Sequence, residues 1–306
     1  MRTKFRSDRG QTAGFVAISI VALIAMTAFV LDVGSWFRAD RQLQSVADAA
    51  ALAGAQELPI DPAKAIAVAN DYAADNGGPT AESIGIENDL SANDTISVVY
   101  SSSVPGFFAK ILGISAVTVR ASAKARAAAL GSARWVAPIV VDEKHPKLQC
   151  KPVPCWDEPT ELTYLNLKTS GSPTGAGNFG FVNLSGDVGI GNAELGNWIL
   201  NGYDEMIGTG NYDANTGNAF SSTQIEDALT ARKGDTLLFP VYRTLISSGT
   251  NARYVIVDWV GFVVTGFDFK SGERKIFGHF TKVAWEGLPS KTGGAGLGAR
   301  VVSLTR

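Results

Sequence analysis

The sequence predicts an α+β protein with a single N-terminal transmembrane helix. Three observations indicate this class: a long uncharged apolar run, an alanine-rich stretch with helical periodicity directly after it, and a glycine-rich remainder with strand-like alternation. The expected segments are a basic cytoplasmic stub (1–9), a transmembrane helix (10–33), a juxtamembrane helix (34–58), a small α+β domain (59–130) and a Gly-rich, mostly antiparallel β domain with short helices (131–306).

The apolar run GQTAGFVAISIVALIAMTAFVL covers residues 10–31 and contains no charged side chain. As a helix it rises about 33 Å, which is enough to cross the hydrocarbon core of a bilayer. A cleaved secretory signal has a shorter apolar core and a nearby small-residue cleavage site, and none follows closely here. The run therefore predicts an uncleaved membrane anchor, with the lipid bilayer as a partner.

Charge predicts the orientation of this anchor. The stub 1–9 holds four basic residues and one acidic residue, and basic residues beside a first membrane helix are retained in the cytoplasm. Arg38 and Arg41 on the other side are balanced by nearby aspartates, at positions 32, 40 and 48. The residues after the helix are thus expected outside the cytoplasm.

The net charge argues against a nucleic-acid partner. The chain carries −2, and its stub carries +3, so the remainder carries −5. No Lys/Arg-rich run exists beyond the stub, whereas phosphate contacts need clustered bases.

The stretch after the anchor, WFRADRQLQSVADAAALAGAQEL, shows a stripe of mostly small residues at helical spacing. Small residues permit close approach of another helix. Two interpretations stay open: the helix packs onto its own domain, or it packs against a helix of a partner. The stripe residues form the candidate helix-packing interface: Leu43, Val46, Ala47, Ala50, Ala53 and Gly54.

The small domain begins with a helix signal, because Asp61-Pro62 supplies an N-cap and a proline at the first helical position. We predict a helix over 63–76, strands over 95–101 and 116–123, and a short apolar helix over 104–112. The alanine-rich residues 123–129 either prolong the second strand or form a linker.

Beyond residue 136 the pattern predicts strands separated by Gly, Asn, Asp and Pro turns. The run RYVIVDWVGFVVTGFDF is too short and too β-branched for a second span, and it predicts a long buried strand. Short helices are expected at 193–200 and at 224–233, the latter with a capping box from Thr223 to Glu226. The predicted strands are 136–141, 161–167, 179–184, 236–242, 253–265 and 275–285.

The two cysteines, Cys150 and Cys155, are separated by four residues. An exported setting favours a local disulfide between them, with two free thiols as the alternative. Their spacing fits neither a redox pair nor a zinc site.

Signatures of chemistry are weak. The sequence lacks the G-x-S-x-G, S-x-x-K and H-E-x-x-H patterns of hydrolases. Its two histidines, His145 and His279, lie in different contexts, and we interpret the glycines at 186, 189 and 191 as turn residues. Asp213-x-Asn215-x-Gly217 only begins like a calcium loop. We therefore expect no enzyme activity, no cofactor and no metal.

The N-terminal sixty residues resemble the TadG-like proteins of Tad/Flp pilus assembly. The likeness lies in RGQT, the apolar span and LDVGSWFRADRQLQSVADAAALAGA, that is, Asp32, Val33, Gly34, Arg38 or Arg41, then Leu43-Gln44 and Ala47 to Ala55. The resemblance implies a single-pass protein of the cytoplasmic (inner) membrane, with its N-terminus cytoplasmic and its C-terminal domain extracytoplasmic. It also implies pilus-assembly or pseudopilin-like partners.

Related TadE-type pseudopilins are cleaved after a glycine and carry Glu at the fifth mature position. Gly10 fits the glycine, but Phe15 stands where the Glu would be, so an uncleaved anchor is favoured. Two hypotheses follow. One is a membrane-anchored structural or assembly protein of a Tad/Flp-type pilus or related secretion apparatus. The other is a membrane-tethered extracytoplasmic binding or hydrolytic domain with the same anchor.

Overall fold

The computed structural model describes most of the chain and places it in two compact units. Unit 1 comprises residues 1–87, 95–126 and 304–306, and unit 2 comprises residues 88–94 and 127–303. The predicted juxtamembrane helix (34–58) and small α+β domain (59–130) both fall in unit 1, except for residues 88–94 and 127–130, which belong to unit 2. The described residues are 9–149, 163–168, 180–187, 189–215, 222–246, 251–270, 274–290 and 296–305.

The elements confirm the predicted α+β class. The helices are α1 (Arg9–Ala55), α2 (Pro62–Asp75), α3 (Asn192–Asn201) and α4 (Thr223–Ala231), with 3-10 turns at Ala109–Leu112 and Pro146–Leu148. The strands are β1 (Ala81–Glu87), β2 (Thr95–Pro105), β3 (Ala116–Ala133), β4 (Val141–Asp142), β5 (Thr163–Lys168), β6 (Ile207–Gly208), β7 (Gly210–Asp213), β8 (Thr236–Ile246), β9 (Arg253–Asp268), β10 (Arg274–Thr281), β11 (Val283–Ala284), β12 (Gly287–Pro289) and β13 (Ala299–Thr305).

Unit 1 packs α2 and the second half of α1 beside the antiparallel strands β1, β2 and β3. Helix α2 begins where the sequence predicts, because the Asp61 side chain accepts a hydrogen bond from the Lys64 N–H at 2.9 Å and Pro62 occupies the first helical position. Its buried face is made of Ala65, Ala69 and Ala73, spaced four apart.

Strands β2 and β3 form a regular hairpin, with Pro105 opposite Ala116 at its closed end. The prediction of a helix over 104–112 is wrong in extent. Val104 and Pro105 end β2, and the helical part is only the 3-10 turn Ala109–Leu112. Gly113 ends this turn in the left-handed region at φ 84°, where glycine carries no steric penalty.

Unit 2 is built on a sheet of order β4-β8-β9-β10-β5, with β7 paired to β9. Only the β4–β8 pair in this sheet is parallel among the described strands. Strand β9 confirms the predicted long buried strand, since Trp259, Phe262 and Val264 are fully buried. Phe262 stacks on Phe239 at 5.5 Å and meets Phe280 edge-on at 5.1 Å between ring centroids.

The rest of unit 2 departs more often from the predictions. Of the predicted strand 136–141 only the end belongs to β4, and Val136 and Ile139 make isolated bridges. The predicted strand 179–184 is likewise reduced to bridges, and 275–285 is divided between β10 and β11. Strands β1 and β13 were not predicted at all.

Helices α3 and α4 pack against each other and confirm the two predicted helical segments. The predicted capping box is wrong, because the N-cap is Ser222 and no side chain makes the cap hydrogen bond. The Ser222 hydroxyl instead donates to the Gln224 side-chain oxygen at 2.6 Å. The helix therefore begins at Thr223, one residue earlier than the S/T-x-x-E pattern indicated.

Candidate functional site

Helix α1 has two parts that differ in surroundings. Residues 12–31 are exposed apart from Ala28, and they rise about 30 Å, the thickness of a bilayer core. An 18-residue window of this helix has a mean hydropathy of 2.6, with none of it buried. It is the one helix in the described part of the chain long and apolar enough to cross a membrane. The apolar surface supports the predicted membrane anchor.

The first side chain beyond this span, Asp32, holds a loop of unit 1 to the helix. Its carboxylate accepts hydrogen bonds from the backbone N–H groups of Phe107, Phe108 and Ala109, at 2.9, 2.9 and 2.5 Å. Asp32 is 2% exposed, so a buried charge is compensated by three donors. The contact joins residues about 75 positions apart in sequence and was not predicted, because Asp32 was considered only for its charge and for the family resemblance.

One turn further along α1, Trp36 lies against the same loop. A Cβ built on Gly106 would stand 3.4 Å from the Trp36 ring, so the backbone of the loop approaches the indole closely. Among the described residues, the indole N–H of Trp36 has no hydrogen-bond partner. Residues 32–36 are therefore the place where the exposed span meets the folded part of unit 1.

The predicted stripe on α1 faces the chain's own elements. All six stripe residues are buried, Ala47 and Ala50 completely. The helix packs there on α2 and β2. This is the first of the two open interpretations, packing onto its own domain. Packing of the stripe against a partner's helix stays a prediction.

Small side chains are required at this contact for a geometric reason. A Cβ on Gly54 would stand 2.7 Å from the Ala65 carbonyl oxygen and 2.8 Å from Ile96 Cδ1. A Cβ on Gly78, just after α2, would stand 2.6 Å from Val46 Cγ1. The backbones of α1 and α2 approach as closely as glycine and alanine allow.

Other predicted site residues fall elsewhere. Phe15 is 68% exposed on the span, as expected of a lipid-facing side chain. Gly10 lies in the first turn of α1. Cys150 and Cys155 lie outside the described residues, so their disulfide stays a prediction.

The residues considered for chemistry are spread over unit 2. The His145 Nδ1 atom accepts from the Lys147 N–H at 3.3 Å and caps a 3-10 turn, and its ring meets Phe280 edge-on at 5.1 Å. The Asp213 carboxylate is paired with Arg253 at 2.6 Å, which is a structural use of the acid. Within the described residues, no cluster of three His, Cys, Asp or Glu side chains that could hold a metal occurs.

Sequence reasoning missed a partly buried acid in unit 2, Asp258 on β9. Its carboxylate accepts from the N–H of Trp259 at 2.8 Å and from the N–H of Leu297 at 2.9 Å. Burial raises the pKa of Asp258 to about 6, although these bonds and the charge of buried Arg300 favour the ionised form. An acid within an otherwise apolar strand was the available signal.

We expect this acid to make unit 2 less stable as pH rises. Its pKa is raised in the folded state, so the stabilisation is full below about pH 4 and is lost as pH rises through about 6. The rise of the Asp258 pKa from 3.8 to about 6 corresponds to about 3 kcal/mol of folding free energy. Between pH 4 and pH 7, the free energy of unfolding of Asp258→Asn should therefore rise relative to that of wild type by up to this amount. Melting curves of the full chain in detergent, recorded at both pH values, measure the change. Exposed Asp227→Asn is the control, and a pH-independent difference between wild type and Asp258→Asn would contradict the expectation.

Comparison with known proteins adds one match. No curated protein and no solved structure matches the chain. A family model described as "Putative Flp pilus-assembly TadE/G-like" matches residues 10–57. This range covers α1 almost completely, including the exposed span, Asp32 and the stripe. It supports a membrane anchor, a pilus-assembly-related role and pilus-related partners. The family predicted from the sequence is thus confirmed for this segment: residues 10–57 are similar to the TadE/G-like segment of Flp pilus assembly.

Proposed function

We propose that this chain is a membrane-anchored structural or assembly protein of a Tad/Flp-type pilus or a related secretion apparatus, and that it is not an enzyme. The observation that carries the proposal is the coincidence of the family match with α1. The matched segment contains both an exposed apolar span and the helical surface on which unit 1 is built. A component with such a helix both enters a membrane and presents a folded domain beside it.

The proposed location is the cytoplasmic (inner) membrane, with residues 1–9 in the cytoplasm and residues 34–306 outside. The basic stub supports this orientation, because its Lys and Arg side chains oppose translocation. The partners are the lipid bilayer and other pilus-assembly or pseudopilin-like membrane proteins.

Reporter fusions test the topology. Alkaline phosphatase fused after Arg306 should be active, because this enzyme folds only outside the cytoplasm, and a green fluorescent protein fusion at the same site should be dark. The opposite pair of results would overturn the proposed orientation. N-terminal sequencing should find no cleavage within the span. A mature start at Gln11 would instead show prepilin-type processing despite Phe15.

The assembly role needs a separate test in the native host. Deletion of the gene should abolish or reduce surface pili, and a copy expressed from a plasmid should restore them. Normal piliation without the chain would refute the assembly role while leaving the membrane topology intact.

A further inference from the structure

The loop that Asp32 holds carries a dense group of exposed apolar side chains. This hairpin tip, residues 106–115, joins β2 to β3. Ile111 and Leu112 are 85% and 80% exposed, more than any other large hydrophobic side chain described, including those of the span. Phe107, Phe108 and Ile114 are exposed as well. An exposed cluster of this kind marks an interaction surface.

The attachment of the tip fixes its height along the helix. The tip is bound at Asp32 and packs near Trp36, and the exposed apolar span ends at Leu31. Residues 32–36 of the helix rise about 7.5 Å, which is close to the thickness of one headgroup layer. If α1 crosses the bilayer as far as Leu31, the tip lies in that layer.

The chemistry of the tip suits lipid. Its sequence GFFAKILGIS has no acid and a single base, Lys110, whose long side chain can keep its charge at the membrane surface while neighbouring apolar side chains are buried. Backbone N–H groups are satisfied before any burial: those of 107–109 bond Asp32, and those of 111, 113 and 114 bond carbonyls within the tip. A segment with paired backbone groups can enter an apolar region at low cost.

We propose that the hairpin tip is a second membrane contact of this chain, in which Phe107, Ile111 and Leu112 insert into the lipid interface beside the end of α1. The occupant of this surface is the bilayer rather than a protein. The contact fixes unit 1 against the membrane surface at two points, the helix and the tip. This inference rests on the proposed membrane-spanning role of α1. The experiment below tests that role independently, at a position within the span.

The test uses the photocrosslinking amino acid p-benzoylphenylalanine in the full chain, expressed in bacterial membranes. It replaces Leu112 in the tip, Ile24 in the span, or Tyr72 on α2, each in a separate variant. Ile24 and Tyr72 are 61% and 46% exposed, so none of the three substitutions disturbs a core. After irradiation, mass spectrometry of the purified chain distinguishes phospholipid adducts from protein adducts.

We expect lipid adducts at Leu112 with a yield comparable to that at Ile24 and at least about tenfold above that at Tyr72, since burial of a Leu-sized group shifts an equilibrium by that factor or more. Lipid adducts at Ile24 but not at Leu112 would overturn the tip proposal and leave the anchor intact. Protein adducts at Leu112 would overturn it in favour of a protein docking surface. A lack of lipid adducts at Ile24 would refute the span itself, and the tip proposal with it.

Discussion

Replacing Asp32 with Ala is expected to release the hairpin tip from α1. Three backbone N–H groups lose a charged acceptor, and a bond to a charged group contributes about 1.5–3 kcal/mol. Part of this is recovered because the released tip can move away from α1, and water of the headgroup layer can then solvate the freed N–H groups. The expected net loss for unit 1 is therefore about 2–4 kcal/mol.

Amide hydrogen exchange of the full chain in nanodiscs measures this loss of stability directly at the hairpin tip. Amides 107–109 should exchange faster by at least about tenfold in Asp32→Ala, and Asp32→Asn should lie between it and wild type because one side-chain oxygen remains. Asp40→Ala is the matched control, since Asp40 is an exposed aspartate on the same helix. Unchanged protection of amides 107–109 in Asp32→Ala would show that the carboxylate does not hold the tip.

The Asp32 contact shows where prediction from sequence ends. Local patterns predicted α1 from its uncharged apolar run and small-residue stripe, α2 from its Asp-Pro start, and β9 from its β-branched apolar run. No local pattern predicts that a carboxylate at 32 binds amides at 107–109. That contact also explains the failed helix over 104–112. Pro105 and Gly106 break helical geometry, and the amides that would continue a helix bond Asp32 instead.

The extent of β3 shows a different limit. Residues 123–129 are rich in alanine, which has weak strand preference, so composition left strand or linker open. The structure continues the strand to Ala133. In its first part the side chains alternate: Ala121, Ala123 and Ala125 are buried, and the exposed side chains between them are polar, whereas residues 127–130 are all buried. Burial of alanines, alternating up to Ala125 and continuous beyond residue 126, therefore outweighed intrinsic propensity in this strand.

The candidate interface on α1 was predictable in position but not in partner. A stripe of small residues indicates close helix approach, and close approach is what α1 and α2 show. The sequence did not identify α2 as the neighbour, because the pattern of one helix carries no information about which surface covers it.

Enlarging Gly54 is expected to have the greatest effect of any single change on this stripe. In Gly54→Leu the new Cβ would stand 2.7 Å from the Ala65 carbonyl oxygen, 2.8 Å from Ile96 Cδ1 and 3.1 Å from Ala69 Cβ. Backbone atoms are among these neighbours, so they cannot rotate away. We expect a loss of about 3 kcal/mol or more for unit 1, the upper part of the overpacking range.

Gly34→Leu is the matched control, since a Cβ there meets nothing within 4 Å on the same helix. Both changes gain about 1 kcal/mol of helix propensity, so the difference between them isolates packing. Melting of the full chain in detergent should show Gly54→Leu lower by roughly 10–20 °C and Gly34→Leu close to wild type. The membrane proteins that co-purify with each of these two variants from the native host are identified in parallel. If Gly54→Leu melts like Gly34→Leu but loses a membrane partner, the stripe serves that partner rather than α2. If it melts early and keeps every partner, the stripe is core of unit 1, and the interface with other pilus-assembly proteins must lie on another surface.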